Sequence, residues 1–135
     1  MAEQAALEFC DDLRVVNSLQ ERKTLMAELA DGFIALPGGS GTMDELFEVL
    51  TWAQLNLYPK PCGLLNVCQY YDRLIDFLDY ATDEQFMSVE NRSKLLIDES
   101  PDTLLDKLEA YQSPQVYNVE WVLPQANGNG LLQVA

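Results

Sequence analysis

Gly32-Phe33-Ile34-Ala35-Leu36 is an unbroken apolar run that stops at Pro37 and gives way to Gly38-Gly39-Ser40-Gly41. A short run of this kind suits a strand covered on both faces, as in a parallel sheet flanked by helices. Glycines after it let the backbone turn sharply. From Thr42 to about Leu55, Met43, Leu46, Phe47 and Leu50 then recur at helical spacing. Strand, glycine loop and helix in that order narrow the possible folds more than any other stretch of the chain.

The same alternation extends in both directions. Leu13-Arg14-Val15-Val16 is short and β-branched, and is expected to be a strand. Ser18-Leu19-Gln20-Glu21 has capping-box spacing and opens a helix of about three turns carrying Leu25, Met26 and Leu29. Pro59-Lys60-Pro61 breaks the pattern before a second buried strand, Gly63-Leu64-Leu65-Asn66-Val67. Tyr70 to Tyr80 reads as a helix with Leu74, Ile75 and Leu78 inward, and Thr82-Asp83-Glu84-Gln85 as the start of a short one. Leu95-Leu96-Ile97 makes a brief strand, and Ser100-Pro101 starts a helix to about Tyr111. Past Ser113 the pattern fades, with a turn at Asn127-Gly128-Asn129-Gly130 in a loose tail. This predicts an α/β chain built on a parallel sheet.

Composition removes several functions. With 22 acidic and 8 basic residues the 135-residue chain carries a formal charge of -14, which opposes a general nucleic-acid surface and an anionic membrane. It has no histidine, so neither a Ser-His-Asp triad nor a histidine metal site can be built within it. Acid-base chemistry falls to carboxylates, cysteines, lysines or tyrosines. Cys10, Cys62 and Cys68 form no CxxC pair and are read as reduced, in a cytoplasmic protein, with Cys62 and Cys68 in or near a buried strand. No apolar run reaches transmembrane length.

Two features could do chemistry. Pro37-Gly38-Gly39-Ser40-Gly41-Thr42-Met43-Asp44-Glu45 lies between a strand and a helix, where backbone N–H groups and the helix dipole form a phosphate cradle. It is neither a Walker A loop nor GxGxxG, and a tight strand-to-helix turn is the plain alternative. Thr42 to Glu45 also has capping-box spacing, which would give Glu45 a structural role. Arg22-Lys23 puts two cations at a helix start, against the dipole preference, so an anion nearby would explain them. A surface pair balancing Glu21 and Glu28 is the alternative. In a parallel sheet, the strands Leu13–Val16 and Gly32–Leu36 would deliver both features to one edge, where such folds bind ligands.

Glu21-Arg22-Lys23, Pro37-Gly38-Gly39-x-Gly41-Thr42-x-x-Glu45 and Thr51-Trp52-Ala53-Gln54-Leu55 together resemble the LOG family. The likeness runs on through Lys60-Pro61, Gly63 to Val67 and Tyr70-Tyr71, covering about residues 13 to 112. Members of that family are cytokinin riboside 5′-monophosphate phosphoribohydrolases, often mislabelled "possible lysine decarboxylase". The resemblance implies a Rossmann-like parallel sheet with flanking helices. It implies hydrolysis of the N-glycosidic bond of a nucleoside 5′-monophosphate, such as AMP, to free base and ribose 5-phosphate, with no cofactor and no metal. By the resemblance, Arg22 and Glu45 are the catalytic pair. Arg22, Lys23, Gly38, Gly39, Ser40, Gly41, Thr42, Met43, Asp44 and Thr51 would bind substrate. Asp44 stands where many relatives carry Glu, and Ser40 replaces a frequent Tyr. Nothing marks Lys23, Lys60, Lys94 or Lys107 as a Schiff-base lysine.

The family's N-terminal strands and a second glycine-rich loop find no counterpart here. Residues 1–12 are expected to be a poorly matching segment, 13–112 the C-terminal part of a LOG-like domain, and 113–135 an irregular tail. An incomplete sheet strengthens the expectation of a homodimer or higher oligomer, with Trp52 and Leu55 near its interface. Two other functions stand beside the enzyme: a non-catalytic nucleotide-binding or assembly module, and a carrier of a phosphorylated cofactor, which the Arg22/Glu45 pair disfavours.

Overall fold

The computed structural model describes residues 11–113, so Cys10 and the tail beyond Ser113 lie outside the described residues. In order the elements are α1 (Leu19–Leu29), β1 (Phe33–Ala35), α2 (Ser40–Gln54), β2 (Cys62–Leu65), α3 (Asp72–Asp83), α4 (Val89–Ser93), β3 (Leu95–Asp98) and α5 (Pro101–Glu109). The three strands form one parallel sheet in the order β1-β2-β3. The chain is thus α/β, with a Rossmann-like parallel sheet flanked by helices.

The register sorts the side chains onto two faces. Phe33 pairs with Cys62 and Cys62 with Leu95, while Ala35 pairs with Leu64 and Leu64 with Ile97. Because alternate residues of a strand share a face, these six lie on one side. There they join Leu46, Val49 and Leu50 of α2 and Leu78 of α3 in a single core. On the other side, a Cβ at Gly63 would come within 3.0 Å of Leu108 and 3.2 Å of Leu104, both on α5. The lack of a side chain at Gly63 is what lets α5 lie close to the sheet. Leu46, Leu64 and Leu104 are fully buried, each a contribution of about 1.5–3 kcal/mol.

Both helices that later carry functional residues end on a lysine. Lys60, just before β2, donates to Ala27 O at 2.8 Å and Glu28 O at 2.9 Å, closing the C-terminus of α1. Lys94, just before β3, donates to Ala53 O at 2.7 Å in the last turn of α2. A cation is favoured where orphan carbonyls and the negative dipole end meet. Lys94 is 1% exposed, and burial lowers its pKa from the ordinary lysine value.

Two expectations change and a third is refined. Leu13–Val16 is not a strand: no segment among the described residues pairs with it, and Val15 is 73% exposed. β-branched residues favour a pleated surface only where one is available. The short helix does not open at Thr82; α3 continues to Asp83, and α4 starts at Val89 with Ser88 as its cap. Cys62 is buried in β2, which pushes its thiol up to about 12, but Cys68 is exposed beyond the strand. No helix among the described residues is long and apolar enough to cross a membrane.

Candidate active site

α2 begins at Ser40 with Gly39 as its N-cap, two residues earlier than its apolar spacing indicates. The first turn of any helix leaves its amides without intrahelical partners. Side-chain oxygens answer that need at three other helices: Ser18 accepts from Glu21 N, Ser88 from Asn91 N and Ser100 from Thr103 N. At α2 no side chain caps the helix and no acid stands in the first turn. Its amides and the positive end of its dipole therefore face outward together.

The loop glycines divide into two kinds. A Cβ on Gly38 would fall 2.1 Å from Thr42 Oγ1 and 2.9 Å from Thr42 Cβ, so the Thr42 side chain occupies that place. A Cβ on Gly39 or Gly41 would meet nothing within 4 Å. Protein packing explains the first glycine; the other two leave open space over the amides.

Arg22 and Lys23, from the first turns of α1, reach the acidic face of α2. Arg22 Nη2 donates to Glu45 Oε1 at 2.9 Å. Lys23 Nζ lies 3.0 Å from Asp44 Oδ2 and 2.6 Å from Glu48 Oε2, and Gln20 Nε2 donates to Glu48 Oε1 at 2.9 Å. Hydrogen bonds to Glu48 and then Asp44 raise the Lys23 pKa, and Lys23 in turn lowers that of Glu48. The surface-pair alternative does not hold, because the partners of these cations are acids of another helix rather than Glu21 and Glu28. Three carboxylates already balance two positive charges, so attraction for an added anion must come mainly from the α2 amides. Arg22 commits one of its five N–H donors to Glu45 among the described residues, which leaves guanidinium edge for direct hydrogen bonds.

Glu45 is not part of a capping box. With the helix starting at Ser40 it stands more than a turn inside, held by Arg22 across the gap between helices. Ser18 does cap Glu21, but the Glu21 carboxylate returns to Asn17 N at 2.9 Å, one residue before the cap.

Two clefts flank α2. One, of about 390 Å³, lies between α1, β1 and α2; Lys23, Thr42, Glu45 and Glu48 line it with apolar Met26, Phe33, Val49 and Trp52. The other, broader at about 580 Å³, is lined by Lys23, Ser40, Met43, Asp44, Glu48 and Thr51. The expected site residues thus collect around one helix end, but on both of its sides. Thr51 is the outlier: its hydroxyl donates to Phe47 O at 2.7 Å, and it sits about 10 Å along the helix from Asp44. Sequence reasoning passed over Glu48, although a residue four beyond Asp44 shares its face. It gave no role to Lys60, which fixes the end of α1, or to the hydroxyls of Tyr70 and Tyr71. Tyr71 donates to Leu36 O at 2.6 Å and Tyr70 to Gly38 O at 2.8 Å. Burial raises the Tyr71 pKa, against an opposing effect of the Gly38 backbone.

The fold and site define a class of protein: a parallel α/β sheet with an uncapped helix start and an Arg–Glu ion pair beside the edge strand of the described sheet. Within it, the chain belongs to the family described as "Possible lysine decarboxylase", whose sequence profile matches residues 1–108. It is 41% identical over 129 residues to a probable cytokinin riboside 5′-monophosphate phosphoribohydrolase of Oryza sativa subsp. japonica, covering 93% of this chain and 52% of that protein. A second from the same plant, a cytokinin riboside 5′-monophosphate phosphoribohydrolase, is 44% identical over 110 residues, covering 82% and 46%. The enzyme of that name from Rhodococcoides fascians is 48% identical over 94 residues, covering 70% and 48%. The chain spans about half the length of these relatives. The resemblance to the LOG family is borne out.

Proposed function

We propose that the chain carries the catalytic half of a nucleoside 5′-monophosphate phosphoribohydrolase. The observation that carries this is the Arg22–Glu45 pair, 2.9 Å apart, beside the uncapped start of α2. The phosphate sits over the amides of Gly39 to Thr42, where Gly39 and Gly41 leave space. As the C–N bond to the base breaks, positive charge grows on the ribose, as in other glycoside hydrolyses. Glu45, held in place by Arg22, stabilises that charge and orients the water whose oxygen bonds to the sugar carbon. The proton released from water ends on the departing base, toward which Arg22 offers its remaining donors. Lys23 pairs with Asp44 and Glu48 and holds that face of α2 fixed.

Supporting hydrolysis over decarboxylation, each lysine is engaged elsewhere: Lys23 with Asp44 and Glu48, Lys60 and Lys94 with helix carbonyls, Lys107 with Asp98. A homodimer and a cytoplasmic location belong to the same proposal. Exposed Leu55 and Leu57 after α2 support the first, and free Cys62 and Cys68 the second.

The test is release of free base from AMP and from a cytokinin riboside 5′-monophosphate. Glu45→Gln and Arg22→Ala are each expected to lower the rate by roughly 100-fold or more, as removal of a group stabilising transition-state charge does. Full activity in Glu45→Gln would remove the proposed chemistry. One observation favours a second outcome: β1 is the edge of the described sheet and the 390 Å³ cleft lies against it. Nucleotide binding by calorimetry without turnover would identify the chain as a binding module.

A further inference from the structure

Two consecutive tyrosines hold the β1–α2 loop from behind. After β2 the chain turns through Asn66 and a single 3₁₀ turn, Val67–Gln69. Cys68 and Gln69 both take left-handed backbone, with φ of 51° and 61°, which residues with a Cβ adopt only at a cost. Asn66 braces this turn: its Oδ1 accepts from Tyr71 N at 2.7 Å, and its Nδ2 donates to Asp72 Oδ1 at 2.8 Å. Its own N–H donates to Asp98 O at 2.8 Å, tying the turn to β3. The outcome is that both phenol hydroxyls reach the glycine loop, Tyr71 at Leu36 O and Tyr70 at Gly38 O, with the rings edge to face 4.8 Å apart.

The two contacts have different consequences. The peptide after Leu36 leads into Pro37, which has no N–H, so this contact anchors the exit from β1 and turns no amide of its own peptide outward. The peptide after Gly38 leads into Gly39, the N-cap of α2. No described peptide bond is cis, and in a trans peptide the C=O and N–H point in opposite directions. With Gly38 C=O fixed on Tyr70, the Gly39 N–H is turned the other way. This plane joins two residues that lack a Cβ, so little else resists its rotation.

We propose that Tyr70 is a positioning residue that aims the Gly39 N–H at a phosphate bound at the start of α2. It rests on the phosphate-binding part of the proposed function and adds to it the group that orders the loop. Tyr70 is half exposed, so Tyr70→Phe removes the hydroxyl with little demand on the core.

The test uses the 135-residue chain, wild type and Tyr70→Phe, with AMP and adenosine titrated by calorimetry and the Gly39 amide followed by NMR. Tyr70→Phe is expected to bind AMP roughly tenfold more weakly, the scale of one hydrogen bond to a charged group. Adenosine, which has no phosphate, is expected to bind as in the wild type, and the Gly39 amide to shift and exchange faster. Unchanged AMP affinity, an equal loss for adenosine, or an unchanged Gly39 amide would each overturn the role of Tyr70. A wild-type chain that binds neither ligand refutes the nucleotide site itself, and the amide then decides the tyrosine contact alone.

Discussion

The β1–α2 and β3–α5 junctions make the same turn, from a parallel strand into a helix, and finish it in opposite ways. At β3–α5 side chains close the turn. Asp98 accepts from Ser100 N at 2.8 Å, Ser100 caps Thr103 N, Pro101 removes an amide from the first turn, and Lys107 returns to Asp98 at 2.8 Å. At β1–α2 a glycine caps the helix, no side chain answers the amides, and the carboxylates begin only at Asp44. A side-chain cap contributes about 1 kcal/mol to a helix. Leaving one out forgoes that stability and keeps the donors available to a ligand.

The contrast can be broken most forcefully at Gly38. Gly38→Ala places a methyl 2.1 Å from Thr42 Oγ1 and is expected to cost about 1–3 kcal/mol in urea denaturation, as overpacking does, with AMP binding lost. A paired substitution sharpens it. Ser100→Ala should lose about 0.5–1 kcal/mol, the low end because its cap bond is 3.4 Å long, and leave AMP affinity unchanged. Gly41→Ala should do the reverse. Open space surrounds its Cβ position, so stability holds or rises by up to about 1 kcal/mol while AMP affinity falls. If Gly41→Ala binds AMP normally, the two junctions differ in packing alone.

Acid should act on the closed junction by a smaller, graded effect. The Lys107 side chain, then the Ser100 N–H, hold the Asp98 pKa below its ordinary value of 3.8. An acid whose folded pKa is depressed contributes stability above the unfolded value and loses it as pH falls through the folded one. Asp98→Asn should therefore be less stable than wild type at neutral pH, with the difference shrinking in denaturation curves as pH falls below the ordinary value of 3.8. A difference that persists in acid would show that packing, not charge, sets the role of Asp98.

Much of this was legible along the chain because it is local. The runs at Phe33–Ala35 and Cys62–Leu65, the helix after the glycines, and the Ser100-Pro101 start each follow from side-chain spacing and turn chemistry within a few residues. Spacing misled at Leu13–Val16, where propensity needs a neighbouring strand, and at Thr42–Glu45, where a capping pattern lies inside a helix already begun. Residue type and position single out Arg22, Lys23 and Glu45, yet nothing local indicates who pairs with whom.

Those pairings span 21 to 25 residues, Lys23 to Asp44 and Glu48 and Arg22 to Glu45, and depend on the angle at which α1 meets α2. The tyrosine contacts reach back 32 and 35 residues. Sequence alone determined an α/β chain with a glycine-built, amide-lined helix start and the side chains that could serve it. Only the tertiary structure decided that the cations are already balanced by three carboxylates and that the Tyr70 hydroxyl reaches the Gly38 carbonyl. The physical reason is that propensity and capping act between near neighbours, whereas charge balance and peptide orientation depend on groups that packing alone brings within 3 Å.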